Sequence, residues 1–187
     1  MAVVTAVAST HAGELARCIG RICVGKDAPT FQELRQLLES GSRARLAGLD
    51  TARTICVYNA PYNLSHVFTF SGDTPLATKR LDGIFVARGM LCHKRTTVRQ
   101  PLAASTEIGL GIGDEQAMAT ALLGTPTRVD DAVVREDKDR RYLNSRYASI
   151  FGMTRLHYEQ GPHSLLFNQF GLNAKQRIVS VWISESP

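Results

Sequence analysis

Leu81-Asp-Gly-Ile-Phe-Val-Ala87 and Ile178-Val-Ser-Val-Trp-Ile-Ser184 are two short apolar runs, one towards the end of each half of the chain. Each reads as a strand, because β-branched and aromatic residues recur at alternate places between turn formers. Working back from them, the preceding stretches also match. Ile22-Cys-Val-Gly25 answers to Ile108-Gly-Leu-Gly111, Cys56-Val-Tyr58 to Leu156-His-Tyr158, and His66-Val-Phe68 to Leu165-Leu-Phe167. The order is kept and the spacing drifts little, so the differences fall in connecting loops. Self-similarity of this kind is the mark of a duplicated unit. It predicts a scaffold for binding more than an enzyme.

At 187 residues, 44% hydrophobic and 21% charged, the chain has the composition of a folded globule of one ordinary domain or two small ones. No window approaches the roughly 18 apolar residues of a membrane span, so no transmembrane span is expected. The net charge of +5 favours acidic partners without specifying a fold. Ala2 to Ser9 is apolar and small, but it has no basic leader and only a short core. It reads either as the remnant of an export signal or as an ordinary first segment.

Four cysteines, Cys18, Cys23, Cys56 and Cys92, lie in the first half. In an exported protein they are disulfide candidates with three connectivities; in cytosol they would be buried thiols. No pair has the CxxC spacing of a zinc site, and no metal is expected.

The first unit opens at Asp27-Ala-Pro29-Thr30, a helix start, followed by Phe31, Leu34, Leu37 and Leu38 at helical spacing. Strands are expected near 54–59, 65–70 and 82–88. In the second unit Asp114 is placed as the cap of a helix carrying Met118, Ala121 and Leu122, which Gly124-Thr-Pro126 ends. A further helix is expected through Leu143, Tyr147 and Ile150, then strands near 154–159, 164–170 and 177–184. The domain reading is an N-terminal segment 1–19, unit one over 20–90, a linker over 91–106 and unit two over 107–187. Each unit reads helix, helix, then three antiparallel strands, an α+β plan.

Ile108-Gly-Leu-Gly-Ile-Gly-Asp114, Ala121-Leu-Leu-Gly-Thr-Pro126, the Tyr158 strand and Arg177-Ile-Val-Ser-Val-Trp182 together resemble the SmpA/OmlA-like unit. That unit occurs as a tandem pair in β-lactamase inhibitory protein-like members of the family. Residues 107–187 carry all the pieces. Residues 20–90 keep the glycine entry and the strands but have Leu38-Glu-Ser-Gly41 in place of Leu-Gly-x-Pro. The resemblance implies an α+β fold of two tandem helix-helix-antiparallel-sheet units. It also implies a periplasmic or secreted, non-enzymatic protein that binds another protein, as an enzyme inhibitor or assembly factor, through the outer face of its sheet, with no cofactor.

Alternation assigns Ile84, Val86, Val179, Val181 and Ile183 to the core face. The opposite set, with Phe85 and Trp182 at matching places, goes to the outer face. Aromatic residues on such a face are typical interface anchors; the competing reading has both rings covered by loops. Tyr58 and Tyr158 also match between the units and are candidate contact residues or core residues with a satisfied hydroxyl.

Other chemistry is sparse. Gly109-Leu-Gly-Ile-Gly-Asp114 lacks the Lys-Ser/Thr of a phosphate loop. Lys94, Arg95 and Arg99 form a basic patch without a nucleic-acid motif or stacking aromatics, so no nucleic acid is expected. No catalytic signature appears. The rival readings are a small thiol enzyme using Cys56 and His66, which lie on neighbouring expected strands, and a toxin-neutralising immunity protein on the same scaffold.

Overall fold

The computed structural model describes residues 13–39, 53–72, 74–89, 91–92, 102–131, 154–160 and 166–185. The alternating runs form strands as expected: β3 (Thr54–Asn59), β4 (Leu64–Thr69), β5 (Gly83–Arg88), β7 (Thr154–Gln160), β8 (Leu166–Leu172) and β9 (Ile178–Glu185), with a short β6 (Arg128–Asp131). They make one antiparallel seven-stranded sheet in the order β3-β4-β5-β9-β8-β7-β6. Before it comes a two-stranded ladder, β1 (Cys18–Ile19) with β2 (Ile22–Cys23).

This overturns the expected fold class. The described residues hold two α-helices, α1 (Phe31–Glu39) and α2 (Gln116–Leu123), and the architecture is predominantly β, not a pair of helix-helix-sheet units of β-lactamase inhibitory protein-like type. The physical reason lies at the centre of the sheet. β5 and β9, each the last strand of a three-stranded run, pair along Gly83↔Ser184 to Ala87↔Ser180, so neither run closes as a sheet of its own. The helix expected around Leu143, Tyr147 and Ile150 lies outside the described residues, as do the basic patch at 94–99 and the first residues of the chain.

The helices and the irregular segments cover one face. Leu34 and Leu38 of α1 and Ala119 and Leu123 of α2 join a single core with Ile55, Val57, Phe68, Ile84, Val86, Phe170, Val181 and Ile183. Burying a large apolar side chain here contributes about 1.5–3 kcal/mol. The edge-on contact of Phe31 with Phe70, at 5.2 Å between ring centres, fixes α1 over the sheet. Buried Asn168 fastens the segment before β1: its Oδ1 accepts from the Ala16 N–H and its Nδ2 donates to the Ala16 carbonyl, both at 2.8 Å. Buried His66 does the same for the segment before α2, its Nε2 donating to the Ala103 carbonyl at 2.8 Å.

Both helix starts differ in detail from expectation. Thr30 caps α1 in a reciprocal pair: its Oγ1 accepts from the Glu33 N–H at 3.3 Å and Glu33 accepts from the Thr30 N–H at 2.8 Å. Pro29 therefore precedes the cap. At α2 the cap is Glu115, whose side chain makes no capping bond and instead accepts from Arg177 at 2.8 Å. Asp114 instead accepts from the Gly111 N–H at 2.7 Å and closes the glycine loop, whose Gly113 sits at φ +106°, where L residues are strained.

Candidate binding face

The register sorts the residues onto two faces. Cross-strand partners in an antiparallel sheet share a face, and successive residues alternate. Val86 pairs with Val181 on the core face, both fully buried. One residue along, Phe85 pairs with Trp182 on the other face. Continuing across that face, Val67 and Cys56 extend the row on one side, and Gln169, His157 and Arg128 on the other.

Trp182 is 40% exposed, whereas Phe85 is 8% exposed. Phe167 meets Trp182 edge-on at 5.9 Å, and the His157 ring lies 5.5 Å from Phe167. Beyond it Asp130 joins His157 Nε2 at 2.9 Å to Arg128 Nε at 3.1 Å. The face thus runs from Phe85 through an indole and a phenyl to a mixed-charge corner. Burial holds the His157 imidazole below the usual range, and the Arg128 guanidinium adds to this while Asp130 opposes it.

The four aromatic candidates divide. Tyr58, Phe85 and Trp182 lie on the outer face, and the Tyr58 hydroxyl donates to Asn63 Oδ1 at 2.9 Å. Tyr158 lies on the core face, buried edge-on against Phe170 at 5.9 Å. The two tyrosines are therefore not equivalent. Phe68 and Phe167 are not equivalent either, since Phe68 is in the core. The faces expected for Ile178 and Val179 also exchange. The pairing passes from Gly171↔Ser180 to Leu172↔Ile178, which leaves Val179 in a bulge and turns Ile178 into the core.

All four cysteines are bonded, Cys18 to Cys23 and Cys56 to Cys92, with none free. Cys56 is cross-strand to Val67 on the outer face, while His66 is on the core face opposite Val57. The two side chains are thus not brought together as a dyad. Burial pushes the His66 imidazole down, with the bond to Ala103 opposing it. Among the described residues no group of three His, Cys, Asp or Glu side chains is placed to hold a metal ion, and no helix is long and apolar enough to cross a membrane.

Phe167, His157 and Arg128 are not among the contact residues that the sequence names. The period-two spacing of Phe167 and Gln169 in β8 was the available signal.

No family model matches the chain, and no curated protein matches it. Among solved structures it is similar to a DUF4309 family protein, YjgB, from Bacillus subtilis subsp. subtilis str. 168. The likeness is 14% in identity with a TM-score of 0.47, over 94% of this chain and 88% of that chain. At that score it assigns neither a family nor a function.

Proposed function

We propose that this chain is an exported, non-enzymatic protein that binds another protein through the outer face of its sheet, acting as an enzyme inhibitor or an envelope assembly factor. One observation carries the reading: Trp182 stands 40% exposed at the centre of the sheet, on the face away from the helices. Phe167 props the indole edge-on, and Phe85 lies directly across the strand pair. A rigid aromatic held by its neighbours loses little freedom on docking, which is why such residues dominate binding energy.

Export is supported by the two disulfides, which persist in oxidising compartments. A toxin-neutralising immunity protein would use the same face, and the identity of the partner separates the two roles.

The test is photo-crosslinking in the host from position 182 and, as a control on the helix side, from Met118, which is 42% exposed on α2. One discrete adduct from position 182 and none from 118 supports the reading. Adducts from both positions, or from neither, overturn it.

A further inference from the structure

One end of the outer face holds a groove whose polar groups the protein-binding reading does not use. Beside Trp182 lies a cavity of about 320 Å³, lined on its polar side by Arg53, Thr54, Thr69, Ser71, Asp82 and Ser184. A second cavity of about 600 Å³ adjoins it, sharing Ser71, Asp82 and Glu185 and reaching Lys26 and Arg80. Taken together as one channel past Ser71, Asp82 and Glu185, the two parts are each within or near the range of small-molecule sites, about 300–1,000 Å³.

The polar groups of this channel are arranged. Asp82 accepts from the Thr69 hydroxyl at 3.0 Å and from both the backbone N–H and the hydroxyl of Ser71. With their protons committed to Asp82, the Thr69 and Ser71 oxygens keep lone pairs to accept from a ligand. Arg53 and the Trp182 indole N–H supply donors. Gly83 lies opposite both Thr69 and Ser184 in the register. A Cβ at Gly83 would come within 2.3 Å of Thr69 Oγ1 and 3.6 Å of Trp182 Nε1, so the glycine leaves the hydroxyl and the indole edge uncovered.

Charge at the Trp182 end favours neither sign. Arg53 and Asp82 both line the cavity, and Glu185 is already engaged by Arg17 at 2.9 Å. A ligand suited to such a place is uncharged, has an apolar face to lie on an indole, and has an edge of groups that both donate and accept.

We infer that the channel is a binding site for a neutral oligosaccharide, with one pyranose ring stacked on Trp182, its hydroxyls meeting Arg53, Thr69 and Ser71, and the next residues of the chain running past Asp82 towards Arg80. The inference shares Trp182 with the protein-binding reading and differs from it in the occupant and in the use of Arg53, Thr69 and Ser71.

Trp182 is the one tryptophan of the chain, so fluorescence excited selectively at the indole reports on this site. Purified full-length protein is titrated with cellotetraose, maltotetraose and chitotetraose, with inorganic phosphate and free arginine as charged controls. A saturable change in emission with at least one tetrasaccharide and with neither control is expected. Arg53→Ala and Thr69→Val are expected to weaken binding at least ten-fold with unchanged thermal midpoints. Trp182→Ala, followed by calorimetry, is expected to abolish it. No saturable response to any tetrasaccharide, a tighter response to arginine or phosphate, or unaltered affinity in Arg53→Ala overturns the assignment. Arg53→Ala should leave the crosslink from position 182 intact, so failure of this site and failure of the protein-binding face are distinguishable.

Discussion

Phe85 and Trp182 face each other across the β5–β9 pairing at the centre of the sheet, yet one is 8% and the other 40% exposed. The pair splits the work of the outer face: Phe85 packs the sheet, and Trp182 presents a ring to what lies outside. One residue along on the same strands, Val86 and Val181 are both fully buried against the helices. The seam that unites the two three-stranded runs is therefore apolar on its core face, while its outer face carries Ser180 and Ser184 beside the Phe85–Trp182 pair.

Truncations on the two faces should differ in cost. Phe170→Ala, fully buried in the core, is expected to lower stability by about 3–5 kcal/mol through lost burial and the cavity left behind. Trp182→Ala should cost well under half as much, because much of its ring already meets water. Urea unfolding of both variants, with equal m values, checks the contrast.

The two disulfides should contribute unequally. Cys56 and Cys92 are 36 residues apart, Cys18 and Cys23 only 5. In the chain-entropy account, removing the longer link costs about 4 kcal/mol and the shorter about 2 kcal/mol. Paired Cys→Ser variants compared by urea midpoint test this; equal losses would mean that native-state contacts, not loop closure, set the effect.

Asn168 is expected to hold the segment before β1 in place. Asn168→Leu leaves the Ala16 N–H and carbonyl without their partner, a cost of about 1–3 kcal/mol or more for buried groups. Hydrogen exchange at Ala16 should speed up selectively in this variant, while β8 amides remain protected.

Acid should weaken the fold before carboxylates titrate. His66 and His157 are both held below their ordinary value of 6.5, chiefly by burial. Between the folded and unfolded values the unfolded chain binds more protons, so stability rises with pH there. Their contribution is fully present above about pH 6.5 and is lost as pH falls through the folded values. Asp82 acts oppositely. Burial raises its carboxyl above 3.8, so its contribution is present below that value and fades as pH rises. Urea midpoints from pH 7.5 down to pH 5 should fall, and His66→Gln should flatten the slope.

The strands were legible because β-branched, aromatic or other apolar residues recur between turn formers in all six long ones. Their face assignment was legible at Ile84, Val86, Val181 and Ile183, where alternation holds. It failed where both faces are apolar. Tyr58 and Tyr158, or Phe68 and Phe167, look alike in sequence, but a shift of one residue sends a side chain to the opposite face. Nothing in Val179 announces the bulge that turns Ile178 inward. The merging of two strand runs into one sheet depends on β5 meeting β9, a contact between distant parts of the chain. The cleft under Trp182 was hidden for a similar reason: Thr69, Asp82, Gly83 and Ser184 come from three strands and the approach to one of them.

The most direct measurement is affinity capture from an envelope extract of the native host with wild type, Trp182→Ala and Met118→Ala, each shown to be folded. One discrete partner held by wild type and Met118→Ala, and reduced at least ten-fold by Trp182→Ala, is the expected result. Equal capture by all three proteins, or no specific partner with any of them, would contradict a binding face centred on Trp182.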